Sequence, residues 1–202
     1  ALGGVADHPV DVTCAGRTDR GVHALGQVVH FDTPAVRAPR GWVLGANSEL
    51  PADIAVQWAV GVPDDFHARY AARARTYRYV IVNRPTRSPV LHGRAWWVRA
   101  ALDATVMHAA AQVLVGEHDF SAFRAAECQS RTPVRRLQRI AVERAGELVT
   151  LEVTANAFLH HMVRNLVGTL TEVGDGTRPA SWVATLLTAR DRSRSGPTAP
   201  PD

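Results

Sequence analysis

The densest run of reactive side chains in the sequence is Ala15-Gly16-Arg17-Thr18-Asp19-Arg20-Gly21-Val22-His23-Ala24. It offers one carboxylate, two guanidiniums, a hydroxyl and an imidazole, with glycines that let a backbone or ligand come close. Flanking cations favour the ionised carboxylate that a nucleophile or general base requires. The same residues also suit a plain Asx-turn with solvated arginines, and the local chemistry alone leaves both readings open. A second group is His160-His161 with Arg164. Adjacent residues on a helix point about 100° apart and no third ligand stands nearby in the sequence, so no metal site is expected there. Arg164 lies four positions after His160, which places the two on one helix face.

These groups need elements to hold them. The loop that carries Asp19 lies between two strand-like runs, residues 10–14 and 27–31, where a rigid scaffold can present a site. Residues 54–60 alternate in part. Arg75–Asn83 is the best strand, with Tyr77, Tyr79 and Ile81 on one face and Thr76, Arg78 and Val80 on the other. Residues 94–98 follow, then 140–144 and Leu148–Ala155, joined by a turn at Ala145-Gly146-Glu147. Asp103 caps a helix whose apolar stripe is Val106, Met107, Ala110, Val113 and Leu114. A longer helix carries Leu159, Met162, Val163, Leu166, Val167 and Leu170. Pro179 and Ser181 open a third, through Trp182, Val183, Leu186 and Leu187. Residues 193–202 read as an exposed linker. The order predicts an α+β protein with a largely antiparallel sheet.

Composition narrows the chemistry. The 202 residues, 46% hydrophobic and 21% charged, fit one globular domain or two small halves. No apolar run approaches the ~20 residues of a membrane span, and the opening Ala1-Leu2-Gly3-Gly4 is not a signal peptide. Cys14 and Cys128 make neither a CxxC pair nor a disulfide framework, as in a cytosolic chain. All 23 basic residues are Arg, against 19 acidic ones, for a net charge of +4. The absence of Lys excludes a Schiff-base lysine, a lysine base or a Walker-type phosphate lysine. Biased codon usage accounts for that absence, while the positive balance leans towards an anionic partner.

Six blocks of sequence resemble the tRNA pseudouridine synthase A family, in the family's order and over nearly the whole chain. The first is Gly16-Arg17-Thr18-Asp19 with Gly21-Val22-His23-Ala24, running on to Phe31. The others are Val62 to Arg69, Arg75-Thr76-Tyr77-Arg78-Tyr79, Gly116 to Phe120, Cys128 to Pro133, and Asn156 to Asn165. The resemblance implies isomerisation of uridine to pseudouridine at positions 38–40 in the anticodon stem-loop of tRNA, without cofactor or metal. Asp19 matches the nucleophile, Tyr77 the aromatic residue packed on the target base, and Arg164 a helix-borne partner of the carboxylate. Tyr79 is expected in the core. Arg17 matches the residue that holds the flipped nucleotide. Arg37, the stretch Phe66, His67, Ala68, Arg69 and Tyr70, and the loop Glu127, Cys128, Gln129, Ser130 and Arg131 are implied in RNA docking. Arg69 and Arg131 would position phosphates. Arg135, Arg136 and Arg139 read instead as a solvated strand edge.

The fold implied is that of the pseudouridine synthases: two α/β halves, 1–100 and 101–202, sharing a mixed, mainly antiparallel sheet with a central active-site cleft. A cytoplasmic homodimer is implied as well. The chain departs from the family pattern at both ends, where further strands would stand, and at Arg20, where a small residue is usual. The ends therefore read as truncated. Two rivals follow: a catalytically inactive tRNA-binding fragment of the same fold, and a hydrolase using Asp19 with His23. The second lacks the metal or second carboxylate that such chemistry uses.

Overall fold

The structure, a computed structural model, describes residues 1–201. It divides into two compact units, Ala1–Thr18 with Ala24–Ala72, and Asp19–His23 with Arg73–Asp202. The division expected near residue 100 thus falls instead after residue 72. The reason lies in β-pairing: the strands between residues 75 and 98 hydrogen-bond into the sheet of the second unit. The tip of the loop, residues 19–23, belongs to that unit too.

The first unit holds two helices, α1 (Leu2–Ala6) and α2 (Pro39–Glu49), and a short antiparallel pair, β1 (Thr13–Cys14) and β2 (Val29–His30). Pro39 starts α2, where its missing N–H is no loss. Trp42 and Ala46 of α2 are buried, and Trp42 meets Phe31 edge-to-face at 5.0 Å. The expected strands at 10–14 and 27–31 shrink to two residues each. Residues 54–60 form no strand, and Ile54, Trp58 and Val60 stay more than half exposed.

The second unit is built on a five-stranded sheet of order β4-β3-β7-β6-β5, made from β3 (Arg75–Asn83), β4 (Trp96–Val98), β5 (Gly116–Asp119), β6 (Val134–Ala145) and β7 (Leu148–Ala155). The β3–β4 pair is parallel and the others antiparallel, so the sheet is mixed and mainly antiparallel and the protein is α+β. Gly146, at φ +59°, turns β6 back into β7 as a two-residue hairpin demands. Alternation follows the sequence pattern: Tyr79 and Ile81 are buried, as are Val149, Leu151 and Val153, while Thr76 and Arg78 face solvent.

Helices α3 (Ala104–Ala111), α4 (Met162–Gly174) and α5 (Trp182–Ala189) supply the rest of the core. Asp103 caps α3 as expected, its carboxylate accepting from the N–H groups of Thr105 and Val106. The buried stripe is Ala104, Met107, Ala110 and Ala111 with Leu114. Val106 and Val113 are instead more than a third exposed, Val113 in a 3-10 turn at Gln112–Leu114 that follows α3. Helix α4 starts at Met162, so Leu159 packs in the core from the segment before it.

Two expectations are corrected here. Arg135 is buried on β6, a strand with neighbours on both sides, and its guanidinium bonds the Thr132 and Val134 carbonyls. Residues 193–201 are no free linker. Ala199 is 1% exposed, Gly196 lies against Gly168 and Thr169, and the Tyr79 hydroxyl donates to the Pro200 carbonyl at 2.6 Å. Glycine on both sides lets the tail backbone lie directly on α4, a use of Pro- and Gly-rich sequence that composition does not distinguish from a linker. No helix among the described residues is long and apolar enough to cross a membrane.

Candidate active site

Asp19 stands on a tight turn, in which the Val22 N–H donates to its own carbonyl at 3.0 Å. Gly21, at φ +84°, permits that turn, and His23 anchors its far side on the Gly93 carbonyl at 3.2 Å. The Asp19 side chain remains 44% exposed, open to a substrate.

The group that meets Asp19 is His161, whose Nε2 lies 3.4 Å from Oδ2. His161 takes a left-handed backbone conformation, φ 57°, at the N-terminal end of α4. Such a conformation costs an L-residue about 1–2 kcal/mol and marks a position held by its surroundings. Burial lowers the His161 pKa first, the neighbouring His160 and Arg164 push the same way, and Asp19 and Glu127 oppose them. The net direction is down, so the ring is neutral at pH 7. The contact is a long imidazole–carboxylate approach rather than a full ion pair.

This geometry corrects the reading of His160 and His161. Neither is inside the helix, so the 100° divergence does not apply, and their rings lie 3.9 Å apart at 31°. Asp19 is the third potential ligand that sequence proximity hides: ligand atoms of Asp19, His160 and His161 all fall within 4.8 Å of one another. The reasons for ruling out a metal at this pair therefore fail.

Tyr77 is half-buried on β3, edge-to-face with Phe158 at 5.0 Å. Burial raises its pKa, Arg75 opposes that, and the Asp19 carboxylate adds to the rise. The phenol thus sits in the field of the carboxylate. Tyr79 is in the core, as expected. Arg164 differs from expectation. Its Nε donates to the Ala199 carbonyl at 2.6 Å while Ala199 N–H donates back to the Arg164 carbonyl at 3.2 Å. The guanidinium is tied to the tail and acts electrostatically on His161, which takes the place beside Asp19 expected for Arg164.

The loop of Glu127, Cys128, Gln129, Ser130 and Arg131 is docked beside this group. The Ala125 N–H donates to the His160 carbonyl at 3.1 Å, and the His160 N–H donates to Cys128 Sγ at 3.4 Å. Arg124 closes the loop on itself through the Cys128 and Ser130 carbonyls. Glu127, Gln129 and Arg131 are exposed, Cys128 and Ser130 half-buried.

The remaining candidates belong to the first unit. Arg17, Arg37 and Arg69 are exposed, and Tyr70 is 78% exposed. His67 organises the chain around it. Its Nδ1 accepts from the Arg69 and Tyr70 N–H groups, and its ring stacks on Tyr70 at 4.2 Å. Phe66 is half-buried, edge-on to His30 at 6.0 Å. Ala68 is 3% exposed and presents no side chain to a ligand. Phe158 and Ala199 are the site neighbours that sequence reasoning did not find, and His161, weighed there only as a metal ligand, was not placed beside Asp19. The Tyr77–Phe158 ring contact, the folded-back tail and the left-handed turn at His161 reveal them.

Comparison with known proteins agrees with the motifs. A family profile described as tRNA pseudouridine synthase matches residues 3–71 and 110–202. A tRNA pseudouridine synthase A of Xanthomonas euvesicatoria is 59% identical over 201 residues, spanning 100% of this chain and 78% of the relative. The tRNA pseudouridine synthase A of Stenotrophomonas maltophilia is 57% identical with the same coverage. Matches of this extent place the chain in the tRNA pseudouridine synthase family.

Proposed function

We propose that the protein isomerises uridine to pseudouridine in tRNA, at positions 38–40 of the anticodon stem-loop, with Asp19 as nucleophile. The observation that carries the reading is the exposed Asp19 carboxylate, held in one unit with Tyr77 and the start of α4, in a chain 59% identical to a tRNA pseudouridine synthase A.

The reaction is an exchange of one bond for another. The C1′–N1 bond of uridine breaks, the uracil turns, and a C1′–C5 bond forms; the C5 proton leaves and N1 takes up a proton. No electrons enter or leave, so a carboxylate that attacks and departs suffices, and the residues needed are those that hold the base. The target has to leave its stack, and the ring of Tyr77, braced by Phe158, offers a replacement face worth about 1–3 kcal/mol. His161 stands 3.4 Å from the Asp19 carboxylate, on the side of the start of α4. Arg164 fixes the tail and adds positive potential at His161.

Arg17, Arg37, Arg69 and Arg131 are exposed cations suited to phosphates, and Phe66, His67 and Tyr70 form an aromatic group beside Arg69. In this reading Ala68 supports that group from within. The remaining loop residues, Glu127 to Ser130, border the nucleotide. Action as a homodimer in the cytoplasm belongs to the same reading.

Tritium release from tRNA carrying 5-tritiated uridine tests it, with EDTA present throughout. The parent chain should release tritium and Asp19→Asn should release none. A folded parent that binds tRNA but releases nothing would establish the inactive fragment instead. Release surviving in Asp19→Asn would remove Asp19 from the mechanism.

A further inference from the structure

We propose that Asp19, His160 and His161 form a binding site for a borderline divalent cation, Zn2+ being the best fit, and that the ion acts as an inhibitor rather than a cofactor. Binding stands on the geometry alone; the inhibitory consequence rests on Asp19 being the nucleophile.

Three features of the site carry this. The donor set is two imidazoles and one carboxylate, the composition of open zinc sites with three protein ligands; Mg2+ and Ca2+ want oxygen donors throughout. The spacing is right. Zinc bonds of about 2.0–2.2 Å at tetrahedral angles put neighbouring donors roughly 3.3–3.5 Å apart. His161 Nε2 and Asp19 Oδ2 already lie 3.4 Å apart. All three donors lie within 4.8 Å, leaving an ångström or so for side-chain rotation to close. The backbone fixes the arrangement: the left-handed His161 stacks the two rings, and the His160 N–H is held by Cys128 Sγ. The 44% exposure of Asp19 gives the ion and its remaining waters a way in.

Charge nearby sets the strength. Arg164 repels a cation at His161, and Glu127 attracts one. An ion there takes the Asp19 oxygens into coordination, so the carboxylate cannot attack C1′. The active enzyme is then the empty one, and chelators activate rather than destroy it.

The whole chain is titrated with Zn2+ by calorimetry and with Co2+ by visible absorption, beside Asp19→Asn, His160→Ala and His161→Asn. Asn tolerates the left-handed backbone, so the last variant keeps the start of α4. The expected result is one equivalent bound by the parent, with an intense four-coordinate Co2+ spectrum, and affinity at least about tenfold weaker in each variant. In the tritium assay Zn2+ should suppress release, EDTA should restore it, and His160→Ala should need at least about tenfold more Zn2+ for the same suppression. Binding that survives in all three variants places the ion elsewhere and overturns the site. So does the lack of any Co2+ spectrum in the folded parent. If the parent releases no tritium even in EDTA yet binds Zn2+ through these residues, the functional reading fails and the site stands. Full release at saturating Zn2+ removes the inhibitory role.

Discussion

His161 decides what surrounds Asp19. With helical dihedrals its ring would diverge from that of His160; at φ 57° the two stack and turn towards Asp19. Cys128, on the facing loop, feels the same crowding. Burial acts to raise its pKa, but N–H groups of His160 and Ser130 and the Arg124 guanidinium stabilise the thiolate, and the net direction is down. In a Cys14→Ser background, alkylation of Cys128 by iodoacetamide should therefore show a pH midpoint below the ordinary thiol value of about 8.5. A midpoint at or above it would mean that the loop is not docked as described. This part of the site was hard to read in advance for a physical reason. Asp19, Tyr77 and Arg164 sit inside recognisable blocks, whereas the nearness of Asp19 to His161 spans most of the sequence and depends on one backbone conformation that no propensity signals.

Elements were legible where a period was long enough. Arg75–Asn83, Leu148–Ala155 and the hydrophobic face of α4 emerge from alternation and helical spacing alone. The four-residue β5, Gly116–Asp119, gives no period to detect, and the two-residue β1 and β2 are set by one pairing rather than by pattern. Asp119 shows how such a short element is ended. Its carboxylate accepts from the Ser121 N–H at 2.9 Å, opening a 3-10 turn at Ser121–Phe123, and Arg190 at the end of α5 lies 3.5 Å away. Burial raises the Asp119 pKa, but the Ser121 side-chain and backbone bonds and then Arg190 outweigh it, and the net direction is down. A carboxyl held below its unfolded value stabilises the fold above that value and ceases to do so as pH falls through the folded one. Asp119→Ala should thus cost about 1 kcal/mol near pH 7, as for a lost cap. In urea melts the difference from the parent should hold down to the ordinary carboxylate range, about 3.9, and close below it. A gap independent of pH would assign the loss to packing instead.

Across the molecule, the most consequential departure from sequence expectation is the tail. Residues 193–202 read as linker because their composition is polar, proline-rich and glycine-containing, yet that composition is also what a close-packed strap needs. Arg192 bonds the Asn165 and Thr198 side chains and the Gly196 carbonyl. Ala199 is held from both sides by Arg164, and Pro200 by Tyr79. Gly168 is the point where this strap touches α4: a methyl group there would overlap the Pro197 carbonyl. Gly168→Ala suits the helix itself, since Ala is favoured over Gly by up to about 1 kcal/mol in a helix interior. Helix propensity and tail docking therefore predict opposite signs. If docking dominates, the variant releases the strap, frees Arg164 from Ala199, and loosens the 3-10 turn at Arg192–Arg194 so that its backbone can enter trypsin, which in a chain without Lys cuts only at Arg. Native-state cleavage at these two sites should rise by about tenfold or more, the equivalent of some 1.4 kcal/mol in local opening, while α4 keeps its helicity. Unchanged cleavage with a raised Tm would show that the strap yields without leaving, and that Arg164 does not depend on it for its place beside His161.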